Sequence, residues 1–170
     1  MSLNDLTSTI HARLPYLGLV GMILLLDRWS KSVIQNKFSL GDNMTVVDSF
    51  FELTYVRNTG IAFGIFSSVN SPAKATVLSV FAAVAAVVII VYSVRSPLGH
   101  SLLQIALALI LGGTLGNLYD RVTYSYVIDF IHLHVGSYYW PAFNLADAAI
   151  SVGVVFLAVE IIRDEIAART

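Results

Sequence analysis

The chain has 170 residues, of which 56% are hydrophobic and 12% are charged, and its mean hydropathy is +0.76. These values exclude an ordinary water-soluble domain of this length. The formal net charge of −1 offers no surplus of positive charge to a phosphate backbone, which excludes nucleic acid as a partner, and the lack of cysteine excludes disulfides and thiolate chemistry. The composition predicts a single membrane domain.

Four apolar stretches are each long enough to cross the ~30 Å hydrocarbon core of a bilayer as a helix. We predict spans at about residues 14–34, 73–94, 101–119 and 145–163. The first apolar run is followed by Asp27-Arg28-Trp29 rather than by the small residues of a cleavage site, so we expect it to be retained as a span. The predicted fold class is an all-α integral membrane protein with four transmembrane helices.

The long connections between these spans lie on one side of the membrane. An even number of spans places both chain ends on the opposite side from the connections at about 36–72 and 120–144. Basic residues occur on both sides, for example Arg13 with the ends and Arg57 with the long connections. The positive-inside rule therefore leaves the orientation open.

The first long connection has the pattern of a small β-sheet. Phe51 to Tyr55 alternates apolar and polar residues with the two-residue period of a strand that has one wet face, and Thr45 to Val47 offers a partner strand. Asn58-Thr59-Gly60 is typical of a turn, and an apolar run follows at 61–66. We predict a sheet that lies on the membrane surface.

The second long connection contains a further predicted strand. Residues Tyr126 to Val135 are rich in β-branched and aromatic side chains. Tyr138-Tyr139-Trp140 follows, and such amphipathic rings favour the headgroup level of a membrane. Asn144 then stands where an N-cap is expected for a helix that begins at Leu145.

Carboxylates converge on the membrane face that carries the long connections. A carboxylate at membrane depth costs at least ~2.5 kcal/mol on insertion scales, so each requires a partner, a polar cavity or a function. Four acids meet this description: Asp27, Asp120, Asp129 and Asp147. Two neighbouring carboxylates do not both ionise readily, so one holds a proton and can act as an acid while the other acts as a base. The pattern therefore favours aspartyl hydrolase chemistry.

Two of these acids also have a structural interpretation. Asp27 and Asp120 lie at the predicted ends of helices, where an unpaired carboxylate would oppose the helix dipole. Each is followed directly by an arginine, so we predict ion pairs of Asp27 with Arg28 and of Asp120 with Arg121.

The other two acids differ in how well a structural role explains them. Asp147 comes three residues after Asn144, a spacing that by itself favours a capping box over a catalytic role. Asp129 interrupts an apolar run and has no basic neighbour within it, so functional and structural interpretations of Asp129 have equal weight.

Polar residues at the same face add to this picture. The amides of Asn58, Asn117 and Asn144 can orient carboxylates or bind a substrate backbone, although each taken alone suits a turn or a cap. His132 and His134 lie on one face of the predicted strand, but no third ligand has a recognisable spacing and no HExxH motif occurs. We therefore expect no metal site.

Taken together, the motifs are more specific than any one of them. The sequence resembles the bacterial lipoprotein signal peptidases, the type II signal peptidase family, over nearly the whole chain. The matching segments are Leu26-Asp27-Arg28-Trp29-Ser30-Lys31, Arg57-Asn58-Thr59-Gly60-Ile61-Ala62-Phe63-Gly64, Gly112-Gly113-Thr114-Leu115-Gly116-Asn117-Leu118-Tyr119-Asp120-Arg121, Val127-Ile128-Asp129-Phe130 and Phe143-Asn144-Leu145-Ala146-Asp147.

The resemblance implies a membrane-embedded aspartyl endopeptidase. Such an enzyme removes the signal peptide from prolipoproteins by cutting before a cysteine that carries diacylglyceryl, and it needs no cofactor and no metal. The matching implies that Asp129 and Asp147 form the catalytic pair, which overturns the capping preference for Asp147 alone. It also implies that further residues surround the substrate or support the site: Asn58, Gly60, Asn117, Arg121, Asn144, Asp27, Lys31 and Asp120.

The resemblance also implies a location and partners. Both termini would lie in the cytoplasm, with the small β-sheet and loop cradle and the active site at the extracytoplasmic face of the bacterial inner membrane. The partners would be diacylglyceryl-prolipoproteins and membrane lipids, and we expect a monomer.

Two other function classes remain open from the residues alone. A small proton-coupled transporter would also bury carboxylates, but it would place them near the bilayer midplane rather than at span ends. A non-catalytic membrane assembly factor would tolerate replacement of Asp129 by Asn.

Overall fold

The computed structural model describes residues 3–60 and 73–169, with side chains from residue 11 onward. The apolar run predicted at 61–66 lies outside this part of the chain. The elements in chain order are α1 (Leu3–Lys37), β1 (Asn43–Val47), β2 (Phe51–Asn58), α2 (Lys74–Arg95), α3 (Ser101–Tyr124), β3 (Val127–Val135), β4 (Tyr138–Tyr139) and α4 (Leu145–Arg169). The prediction of a mostly helical chain with a small antiparallel sheet is confirmed.

Helix α3 is the centre of the helical bundle. It contacts α1, α2 and α4, and its buried residues include Leu107, Leu111 and Asn117. Within the described residues, three helices are long and apolar enough to cross a membrane, namely α2, α3 and α4. Helix α1 is longer than any of them, but it carries Asp27 and Lys31 within its apolar stretch.

The close approach of α3 to its neighbours depends on small residues. A Cβ atom on Gly113 would collide with the backbone oxygen of Ala146 at the start of α4, and one on Gly116 would lie 2.7 Å from Oδ2 of Asp27 in α1. Only glycine leaves room for these contacts. This packing brings the first turn of α4 and the second half of α1 together around α3.

The sheet has four antiparallel strands in the order β1-β2-β3-β4. The strands predicted at Thr45 to Val47, Phe51 to Tyr55 and Tyr126 to Val135 are all present. One face of the sheet packs on a core that includes Ile34 of α1 and Ile128 of β3. The sheet is therefore anchored to the end of α1, and its strand β3 begins directly after the end of α3.

The wet face predicted for the strand at Phe51 to Tyr55 is wrong in detail. Thr54 and Tyr55 are both buried, although they are neighbours in sequence. The pairing of β2 with β3 shifts between Leu53 and Val56, where two residues of β2 lie against the single residue Phe130. Such a bulge interrupts the two-residue alternation, so the simple periodicity fails at this point.

Candidate active site

Asp129 lies on β3 and is almost completely buried. Its neighbours Ile128 and Phe130 point to the opposite face of the strand and pack in the core, which fixes the strand and therefore the direction of the carboxylate. The Asn58 side chain at the end of β2 donates to Oδ2 of Asp129 at 2.9 Å, and Asn144 donates to Oδ1 at 2.7 Å. Amide groups from the end of β2 and from the residue before α4 thus hold both oxygens of Asp129.

Asp147 lies in the first turn of α4 and completes a capping box with Asn144. The backbone N–H of Asp147 donates to Oδ1 of Asn144 at 2.9 Å, and the N–H of Asn144 donates to Oδ2 of Asp147 at 3.3 Å. The predicted N-cap and capping box are confirmed. The other oxygen, Oδ1, accepts a hydrogen bond of 2.7 Å from Asn117 of α3. The capping box therefore occupies only one of the two carboxylate oxygens of Asp147.

Amide side chains join the two carboxylates into one network. Nδ2 of Asn144 donates to Asp129 and also, at 3.3 Å, to Oδ1 of Asn117. Nδ2 of Asn117 in turn donates to Asp147. The segment before Asn144 is held in place because Phe143 forms backbone hydrogen bonds with Ile131 of β3. The structure therefore brings together the two acids that sequence analysis singled out as a pair.

Burial changes the acidity of Asp129, which lies outside the spans. Burial first, and then the nearby charge of Asp147, raise the pKa of Asp129 to about 7. The hydrogen bonds from Asn58 and Asn144 and the charge of Lys31 act in the opposite direction but are weaker. Asp129 is thus able to hold a proton close to neutral pH.

A buried ionic cluster lies behind the pair, formed by Asp27, Arg28, Lys31 and Asp120. The Nζ atom of the fully buried Lys31 lies 2.7 Å from Oδ2 of Asp27 and 2.9 Å from Oδ2 of Asp120. Arg28 pairs with Oδ1 of Asp120, and its guanidinium lies 4.3 Å from the centre of the Tyr119 ring. The cluster balances two acids with two bases.

The ion pairs predicted from sequence neighbours are therefore wrong. Asp27 pairs with Lys31 rather than with Arg28, and Asp120 pairs with Arg28 and Lys31 rather than with Arg121. Adjacent side chains on a helix point about 100° apart, whereas residues four apart lie on one face. Sequence reasoning thus missed Arg28 as the partner of Asp120, a contact between α1 and α3.

The cluster also holds the backbone next to each acid of the pair. Oδ2 of Asp120 accepts a hydrogen bond from the N–H of Ile128, and Oδ1 of Asp27 accepts one from the N–H of Ala146, at 3.2 and 3.1 Å. These two N–H groups belong to the residues immediately before Asp129 and Asp147. In addition, Nζ of Lys31 donates to Oδ1 of Asn117 at 3.2 Å, which turns the amide N–H of Asn117 toward Asp147.

The turn after β2 is linked by hydrogen bonds to Asp129 and to α3. The N–H of Gly60 donates to Oδ1 of Asn58 at 2.8 Å, which confirms the predicted turn. The carbonyl of Gly60 accepts a hydrogen bond of 3.0 Å from Arg121. Arg121 thereby links this turn to α3, and its charge lies near both Asp129 and Asp147.

Two cavities meet at Asp147. One has a volume of about 420 Å³ and lies between Asp147 and the segment that contains Trp140 and Phe143. The other, of about 370 Å³, lies among α2, α3 and α4 and is lined by apolar residues such as Phe81. Both cavities reach Arg121 and Asp147, and both reach Ser151, which sequence reasoning did not single out. A substrate in either cavity would have its polar atoms close to Asp147.

Comparison with known proteins identifies the family. A family model described as signal peptidase (SPase) II matches residues 19–163. The lipoprotein signal peptidase of Syntrophus aciditrophicus is 39% identical over 150 residues, which cover 88% of this chain and 93% of that protein. The chain belongs to the signal peptidase II family. The resemblance predicted from the motifs is thereby confirmed.

Further relatives and a solved structure agree with this family. The lipoprotein signal peptidase of Pseudomonas aeruginosa (strain UCBPP-PA14) is 40% identical over 154 residues, which cover 90% of each chain. A bacterial membrane enzyme of known structure superposes with a TM-score of 0.80 at 26% identity and covers 89% of each chain. Signal peptidase II is a protease, and the membrane-helix features of this chain fit a membrane protease.

Proposed function

We propose that this signal peptidase II removes the signal peptide from diacylglyceryl-modified prolipoproteins through an aspartyl dyad, and that it cuts before the lipidated cysteine. The observation that carries the proposal is the network of hydrogen bonds through Asn117 and Asn144 that joins Asp129 to Asp147, together with the two cavities that meet at Asp147. The names of the relatives supply the substrate class, and the geometry supplies the chemistry.

The proposed reaction divides acid and base roles between the two carboxylates. Asp147 accepts a proton from water, and the water oxygen attacks the scissile carbonyl carbon. Asp129 supports this step from its protonated state, because it donates its proton to the carbonyl oxygen and so neutralises the developing charge. The C–N bond then breaks as Asp147 gives the proton from water to the leaving amine, while one hydroxyl of the tetrahedral diol returns a proton to Asp129, and the released signal peptide ends in a carboxylate. The pair titrates as a unit, so the roles describe its productive protonation state.

The supporting residues have distinct parts in this proposal. Asn58 and Asn144 fix the Asp129 carboxyl, whereas Asn117 and the capping box fix Asp147. Arg121 lines the cavity and donates to the carbonyl of Gly60, and in this proposal its guanidinium orients the peptide of the substrate. Correct placement of a bound peptide converts a bimolecular reaction into an effectively unimolecular one.

We propose that α1 also crosses the membrane, which gives four spans. The charged groups of its second half are neutralised inside the bundle, while its other face exposes apolar side chains that include Leu17, Leu25 and Trp29. A helix with buried paired charges and an apolar outer face suits a lipid environment. In this arrangement the termini lie in the cytoplasm, and the dyad lies at the extracytoplasmic face of the bacterial inner membrane, where lipid-anchored substrates reach the monomeric enzyme from the side.

The proposal leads to an expected pH dependence of cleavage. Because Asp129 acts as the acid and has a pKa of about 7, cleavage should fall as the pH rises through about 7 and Asp129 loses its proton. The hydrogen bond from Asn58 stabilises the ionised carboxylate, so Asn58→Ala should slow cleavage and move this alkaline limb to higher pH. The measurement is the initial rate of cleavage of a diacylglyceryl-modified prolipoprotein between about pH 5 and pH 9.

Asn36→Ala is the matched control for this experiment. Asn36 is exposed at the end of α1 and its amide contacts only Ser32 among the hydrogen bonds of the described residues, so the pH profile of this variant should equal that of the wild type. An alkaline limb that stays in place or moves to lower pH in Asn58→Ala would contradict the assignment of Asp129 as the acid. Unchanged cleavage in Asn58→Ala would remove Asn58 from the site.

A further inference from the structure

Ser151 lies where the two cavities beside Asp147 meet, and the proposed reaction gives it no part. Among the described residues, the side chains that line both cavities are those of Asn117, Arg121, Asp147 and Ser151. The first three belong to the site described above. Ser151 follows Asp147 by one turn of α4, so both side chains lie on the same face of that helix. A substrate that extends from one cavity into the other therefore passes Ser151.

The cavity of about 370 Å³ extends from Asp147 toward the middle of the helical bundle. Its lining includes Phe81 and Ala85 of α2, Thr114 of α3 and Ile150 of α4. All three helices are long and apolar enough to cross a membrane. A signal peptide is itself an apolar segment, so this cavity suits the part of the substrate that precedes the scissile bond.

The hydroxyl group of Ser151 is engaged within its own helix. Its Oγ donates to the backbone oxygen of Asp147 at 2.8 Å. A serine hydroxyl has a single proton to donate, so Ser151 has none left for the peptide of a substrate. The property of Ser151 that matters to a substrate is therefore its small size.

We propose that Ser151 limits the size of the side chain that a substrate carries immediately before the scissile bond. This inference rests on the proposed function, in which Asp147 activates the water that attacks the carbonyl carbon of that residue. Four residues of an α-helix span about 6 Å, which is less than the length of two residues of an extended peptide. The last residue of a signal peptide that reaches Asp147 from the membrane thus has its side chain beside Ser151.

The test compares two diacylglyceryl-modified prolipoproteins that differ only in the residue before the lipidated cysteine, which is glycine in one and alanine in the other. Ser151→Thr and Ser151→Val give side chains of matching shape, but only threonine keeps the hydroxyl. Each variant should lower kcat/KM for the alanine substrate about 10-fold more than for the glycine substrate, because one methylene in an apolar pocket changes kcat/KM by about 10- to 200-fold. In Ser151→Ala, which removes only the hydroxyl, the ratio of the two values should equal that of the wild type.

Ser79→Val is the matched control. Ser79 lies in α2, and its Oγ donates to the backbone oxygen of Ala75 at 2.8 Å, which is the same kind of bond that Ser151 forms. Ser79 lines neither of the two cavities. Its replacement by valine should therefore leave the ratio of kcat/KM for the two substrates unchanged.

Three results would overturn the proposal. The first is an unchanged ratio in both Ser151→Thr and Ser151→Val. The second is a ratio that changes in Ser151→Ala and Ser151→Val but not in Ser151→Thr, because the hydroxyl rather than the size would then be decisive. The third is loss of cleavage of both substrates by a Ser151→Thr variant with normal thermal unfolding. Failure of the proposed function gives a different result, because the wild type would then cleave neither substrate.

Discussion

Asp129→Asn and Asp147→Asn should each reduce cleavage of a diacylglyceryl-modified prolipoprotein to background. An asparagine amide neither accepts a proton from water nor donates one to a carbonyl oxygen under these conditions, whereas general acid or base catalysis contributes about 10²- to 10⁴-fold to a rate. The two carboxylates act as a unit in the same step, so the double variant should be no slower than either single variant. The measurement is the initial cleavage rate of each purified variant.

Asp48→Asn is the matched control for the dyad variants. Asp48 is exposed in the turn between β1 and β2, so the same chemical change there should leave the rate unaltered. Thermal unfolding establishes that each variant is folded. A folded Asp129→Asn or Asp147→Asn variant that cleaves at the wild-type rate would remove that residue from the dyad.

Lys31→Met should lower the free energy of unfolding more than the other single substitutions considered. Lys31 is fully buried, and its removal leaves Asp27 and Asp120 with one base between them instead of two. Removal of one member of a buried ion pair typically costs about 3–5 kcal/mol of unfolding free energy. Cleavage should fall as well, because Asp27 and Asp120 hold the backbone before each acid of the dyad and Lys31 orients Asn117. Unfolding in detergent and the cleavage rate are the two measurements.

A double variant separates the charge imbalance from the loss of packing. Asp27→Asn combined with Lys31→Met restores the balance of the cluster, since Arg28 still pairs with Asp120 and the new amide oxygen can still accept from the N–H of Ala146. It should therefore recover much of the lost stability, while cleavage stays low because Asn117 is no longer held by Lys31. If Lys31→Met unfolded with a free energy within about 1 kcal/mol of the wild type, the buried cluster would not have the role assigned to it.

Local patterns in the sequence account for much of the fold. The capping box at Asn144 and Asp147, the turn at Asn58 and Gly60, and the strand at Tyr126 to Val135 each depend on residues close together in the chain. Such features follow from backbone geometry and local hydrogen bonding, so they are predictable without knowledge of the tertiary structure.

Contacts between distant elements account for what sequence reasoning missed. The pairing of Arg28 with Asp120 depends on how α1 packs on α3, whereas the arginine next to each acid in the chain suggested a simpler but wrong pairing. Likewise, Glu52 faces His132 only because of the register between β2 and β3, and a bulge elsewhere in that pairing breaks the simple alternation. The motifs predicted Asp129 and Asp147 as a catalytic pair because their order resembles that of a known family, whereas spacing alone left the role of Asp129 open.

The most direct test of the central claim is cleavage of a diacylglyceryl-modified prolipoprotein by purified wild type and Asp129→Asn, with EDTA present throughout and the products weighed by mass spectrometry. We expect the wild type to release the signal peptide, to leave the lipidated cysteine at the new N-terminus and to tolerate EDTA, while Asp129→Asn releases nothing. Cleavage at another bond, cleavage that EDTA abolishes, or no cleavage by a folded wild type would contradict an aspartyl dyad that acts on lipidated prolipoproteins.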